Sequence, residues 1–83
     1  ALQASHEETL SMATDKLQSV PVARRDYSSA TYAIDPELIP EVKTIIREFR
    51  MKMGALLKKG NRTEVFQLAI QFYPLTADDV PSK

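Results

Sequence analysis

The chain has no cysteine among its 83 residues. Disulfides, thiolate metal ligands and thiol nucleophiles are therefore excluded, and the absence fits a reducing cytosol. Histidine occurs once, as His6. A metal site there would need carboxylates alone around it, and Ser28-Ser29 has no imidazole in a matching position to activate a hydroxyl. No apolar run approaches the roughly 18 residues of a membrane span, and no segment has the form of a signal peptide. Neither sign of charge dominates: 11 basic residues balance 11 acidic ones at a pI near 6.8, so bulk electrostatics give no pull toward nucleic acid or anionic membrane. Internal repeats, low-complexity segments and catalytic or cofactor motifs are missing as well. The chain is not expected to be an enzyme or to hold a cofactor or metal.

What is present points to a folded module. The hydrophobic share, 43%, excludes disorder as the default, and the length suits one domain over residues 1–83. A chain this short buries only about 60% of the surface its unfolded form exposes. It begins at Ala1 rather than Met and has loose ends, which reads as a piece of a longer protein with an ordered core over about 5–76 and a frayed tail at 77–83.

Ser5-His6-Glu7-Glu8 has the spacing of a capping box. Leu10, Ala13, Leu17 and Val20 then share one helical stripe, so residues 6–19 are expected to form an amphipathic helix that Pro21 stops. Pro21–Arg25 reads as a connector of one turn. Between Asp26 and Ile34 the helical period is lost, and alternation predicts a strand. Asp35-Pro36 follows, with Asp as N-cap and Pro at the first helical position. The next helix is the best-defined element: Leu38, Val42, Ile45, Ile46, Phe49, Met53, Leu56 and Leu57 make a continuous apolar stripe. Lys58 and Lys59 suit the negative end of its dipole, and Gly60-Asn61 is a good stop. In residues 64–73 the period falls to two. Phe66, Leu68, Ile70 and Phe72 take one face, opposite Val65, Gln67, Ala69, Gln71 and Tyr73, and Pro74 closes the segment.

The expected fold is thus a small α+β domain ordered helix, strand, long helix, strand. Its core would be a βαβ-like unit carrying an extra N-terminal helix, with Phe66, Leu68, Ile70, Phe72, Phe49 and Met53 inside. A parallel crossover, an antiparallel pair and strands separated by a partner's strand all remain open. A two-stranded sheet is marginal alone and leaves both edges open, so a homodimer is expected to complete it. Its interface would draw on Tyr27, Thr31, Ala33, Val65, Gln67, Ala69, Gln71 and Tyr73.

Charge is segregated along the chain. Residues 1–42 carry a net −4, residues 43–64 a net +5, and the remainder −1. Lys43, Arg47, Arg50, Lys58, Lys59 and Arg62 are therefore candidate contacts for phosphate or an acidic partner. The blander reading is the solvated side of an amphipathic helix, and no aromatics interleave with these bases as a single-strand platform requires. Asp26, beside Arg24 and Arg25, reads as a local ion pair or backbone contact.

Two stretches carry a family resemblance. Arg25-Asp26-Tyr27-Ser28-Ser29-Ala30-Thr31 resembles an R-D-x-S-S-x-T strand opening. Ile46-Arg47-Glu48-Phe49-Arg50, followed by Val65-Phe66-Gln67-Leu68 and Phe72-Tyr73-Pro74-Leu75-Thr76, resembles an I-R-E-F-R … V-Y-Q-L … F-P-L-T ending. Together, over roughly residues 5–76, they resemble the C-terminal domain of unknown function in a paralogous family of candidate bacterial transcriptional regulators. Phe66 departs from the pattern, keeping the ring and dropping a hydroxyl. The resemblance implies a non-enzymatic, cytoplasmic regulatory module that acts on DNA indirectly, through a helix-turn-helix-like region N-terminal to it in the parent chain, and not at a membrane. Direct nucleic-acid or acidic-partner binding by the basic helix face is the alternative. A small-ligand sensor is a third reading, dependent on a deep pocket.

Overall fold

The computed structural model describes residues 2–76, with side-chain surroundings from Ala4 onward. The expected frayed tail at 77–83 lies outside the described residues. Two 18-residue helices, α1 (Leu2–Ser19) and α2 (Ile39–Leu56), account for the regular structure, together with single 3-10 turns at Val22–Arg24 and Pro36–Leu38. Extended chain joins the helices and follows the second.

Among the described residues there is no β-strand, so the fold is a small helical one. This overturns the expected α+β class and the sheet that a second copy was to complete. Alternation along 26–34 and 64–73 is real in the sequence, but it only assigns side chains to faces. A strand also needs a hydrogen-bonded neighbour. Outside the helices the backbone hydrogen bonds all belong to turns, and none involves residues 26–34 or 64–75. Neither segment has a regular structure or a backbone hydrogen bond to a neighbour.

Each helix follows from local chemistry. α1 starts four residues ahead of its expected first residue, because Leu2, Gln3 and Ala4 are all strong helix formers. Ser5 then lies inside the helix and cannot cap it. Its carbonyl instead accepts a hydrogen bond from the Thr9 hydroxyl at 3.1 Å, and the Thr14 hydroxyl repeats the pattern on Leu10 at 3.1 Å. Pro21 ends α1 as expected, with extended dihedrals of φ −61° and ψ 150°. A single turn follows, closed by Arg24 N–H donating to the Pro21 carbonyl at 2.9 Å. The Arg25 guanidinium donates from Nε to the Val20 carbonyl at 2.9 Å, placing a cation at the helix's negative end.

The approach to α2 matches its sequence signal closely. The Asp35 carboxylate accepts from the Glu37 N–H at 3.0 Å, Pro36 takes the first position of the turn, and Leu38 N–H donates to the Asp35 carbonyl at 2.9 Å. Pro40 falls in the first turn of α2, where its missing N–H removes no helical bond. At the far end Leu57 N–H reaches the Met53 carbonyl at 2.9 Å, and the chain turns away through Gly60, whose φ of +78° is a left-handed conformation costly for any other residue.

No residue among those described is buried. Of the expected core, Met53 is half-buried, while Phe49, Phe66, Leu68, Ile70 and Phe72 are exposed. No Cα of α1 lies within 8 Å of one in α2. The surface of 8383 Å² compares with about 5,000 Å² for a compact protein of this mass. The radius of gyration, 15.7 Å, likewise exceeds the roughly 12 Å of a compact chain this long.

Candidate functional site

Among the described residues, two concave surfaces and one charged helix face hold many of the residues singled out in the sequence. The first groove, of about 400 Å³, runs between the helices. α1 contributes Ser5, His6, Thr9 and Leu10, α2 contributes Ile46 and Arg50, and the extended segment Gln67–Gln71 forms its floor. Leu10 and Ile46, one from the apolar stripe of each helix, both line it. The second groove, of about 480 Å³, lies past the end of α2 between Leu57, Lys59 and the stretch Asn61–Phe66.

Arg24 and Arg25 make side-chain contacts near the start of each segment. Arg24 pairs with Glu64, and its guanidinium carbon lies 5.8 Å from the Phe66 ring centroid. Arg25 stands 5.2 Å over the Tyr27 ring, and the Tyr27 hydroxyl donates to the Ala13 carbonyl of α1 at 2.5 Å. The sequence suggests for Asp26, beside these arginines, a local ion pair or a backbone contact. The actual partner of Arg24 is 40 positions away, and no local signal carries such a distance. The Arg24–Glu64 pair is more than half exposed on both sides, so its contribution is a fraction of a kcal/mol.

The residues expected at an interface divide between the two extended segments. Tyr27, Thr31 and Ala33 lie on the first and Val65, Gln67, Ala69, Gln71 and Tyr73 on the second, and all are exposed. Gln67, Ala69 and Gln71 share the wall of the first groove with Leu68 and Ile70, the opposite parity. Val65 sits fully exposed in the second groove. They do not form one sheet face.

Among the bases, Lys43, Arg47 and Arg50 recur at spacings of four and three along α2, which aligns them within a narrow sector of its exposed surface. Lys58 and Lys59 belong to the turn after the helix, and Arg62 lines the second groove with Lys59, where Glu64 offsets part of the charge. Among the described residues no three His, Asp or Glu side chains stand close enough to share a metal ion, and no helix is long and apolar enough to cross a membrane.

The model of a family described as a domain of unknown function (DUF4423) matches residues 1–75. The chain belongs to that family. No curated protein and no solved structure matches it. Membership in DUF4423 therefore assigns a domain type and its extent while bringing no functional residues along, and the match spans both helices and both extended segments.

Proposed function

We propose that this DUF4423 domain is a non-enzymatic dimerisation and regulatory module of a bacterial transcriptional regulator. In that role it holds two DNA-binding regions, helix-turn-helix-like and N-terminal to it in the parent chain, at a fixed spacing in the cytoplasm. A twofold protein is what a twofold-symmetric operator requires. The observation that carries the reading is the uncovered apolar surface: a single chain with regular helices leaves Leu10, Leu17, Ile45, Phe49, Phe66 and Phe72 exposed. Side chains of that kind are stabilised by removal from water, at roughly 25 cal/mol per Å². A folded module that fails to cover them internally has a strong reason to associate.

Light scattering after size-exclusion chromatography over a tenfold concentration range tests it. The expected result is a dimer mass that persists on dilution, and a monomer mass throughout overturns the reading.

The aligned bases of α2 favour a second reading, direct contact with nucleic acid or an acidic partner. Lys43, Arg47 and Arg50 are exposed and in register, as a phosphate-tracking helix requires. Binding by this face would weaken steeply with salt, with a slope set by the number of phosphates neutralised.

A further inference from the structure

The apolar side chains of α2 fall into two adjoining stripes. Ile39, Val42, Ile46 and Met53 are half-buried against their own chain. Leu38, in the turn just before α2, makes the other stripe with Ile45, Phe49 and Leu56, and these are 50%, 57%, 46% and 56% exposed. Joined by Val42 and Lys52, this outer stripe recurs at spacings of 4, 3, 4, 3 and 4. Positions 38, 45 and 52 and positions 42, 49 and 56 each repeat every seven residues, the heptad pattern of a seam between two packed helices.

We infer that this outer stripe of α2 is where two copies of the chain meet, with their second helices running antiparallel. The inference rests on the dimer reading above and names its surface. With a second copy as the occupant, Lys52 bears on the direction, while the exposed Glu48 carboxylates flank the axis in solvent. In a parallel pair each Lys52 would face its own counterpart, and two ammonium groups would be pressed together inside an apolar seam. An antiparallel pair centred at the level of residue 47 brings Leu38 opposite Leu56, Ile45 opposite Phe49 and Val42 opposite Lys52. The Lys52 stem then lies on apolar surface while its ammonium reaches Glu41 of the other copy. The pairing repeats on both sides of the axis, so the stripe is complementary to itself, as an isologous interface must be. The seam spans 19 residues, about 28 Å of helix. Lys43, Arg47 and Arg50 fall outside it and stay in solvent.

The test uses the whole 83-residue chain, sized by light scattering and followed by circular dichroism to verify helix content. Lys52→Glu and Glu41→Lys should each raise the dimer dissociation constant about tenfold, since each change acts twice per dimer. The two together should restore it. With no native cysteine to interfere, Glu48→Cys, next to the axis, should oxidise to a crosslinked dimer. Leu56→Cys, about 27 Å from its twin, should not. An unsubstituted 83-residue chain that is monomeric at every concentration overturns the dimer reading and this inference together. A dimer indifferent to Ile45→Glu and Phe49→Glu overturns only the surface. Crosslinking through Leu56→Cys, or failure of the double charge exchange to rescue, overturns the antiparallel arrangement.

Discussion

Asp35 caps the approach to α2 with one carboxylate, and that single hydrogen bond satisfies a donor no helical carbonyl can reach. Replacing it with Ala should cost about 1 kcal/mol, read from urea unfolding followed by circular dichroism. The two glycines are expected to respond in opposite directions. An added Cβ at either position meets nothing within 4 Å, so only the backbone decides. At Gly60, with φ at +78°, Gly60→Ala should destabilise by about 1 kcal/mol. Gly54, inside α2, loses more backbone freedom on folding than Ala would, and Gly54→Ala should stabilise by about 0.5–1 kcal/mol. Equal signs for the two substitutions in the same unfolding assay would contradict this account. The Arg24–Glu64 pair supplies a fourth test: a double-mutant cycle should give a coupling below about 1 kcal/mol, since both side chains are mostly in solvent.

The elements differ in how far the sequence announced them. α2 was legible because everything that defines it is local: Asp35 and Pro36 before it, an apolar stripe through it, Gly60 after it. The stop of α1 at Pro21 and the turn behind it were legible for the same reason. The start of α1 was misplaced because Ser5-x-x-Glu8 has the form of a cap wherever it occurs, and only the three helix formers ahead of it settle the matter. The extended segments were misread as strands for a deeper reason. Phe66, Leu68, Ile70 and Phe72 alternate as a buried sheet face does, yet period two states which side a residue would take and says nothing about what lies beside it. The candidate site was legible in the same partial way. The sequence put Lys43, Arg47 and Arg50 on one face of α2, whereas the inter-helix groove, built from three separated parts of the chain, had no signal in any one of them. Those bases also yield a prediction belonging to the element. Arg47→Glu together with Arg50→Glu should abolish any nucleic-acid binding in a low-salt filter or anisotropy assay and leave the light-scattering mass unchanged. Loss of the dimer by that variant would place the interface on the wrong side of the helix.

At the scale of the whole molecule, the surface of 8383 Å² means that a lone copy has removed little of itself from water. Heat exposes that consequence directly. The heat-capacity change of unfolding tracks the apolar area newly wetted, so an isolated chain should unfold with a smaller value than its length implies and over a broad range of temperature. Association adds the missing area and ties folding to mass action. The melting temperature should therefore climb as the protein is concentrated, and the transition should sharpen with it. For this chain, how stable the fold is would then be a question about how much of it is in the tube.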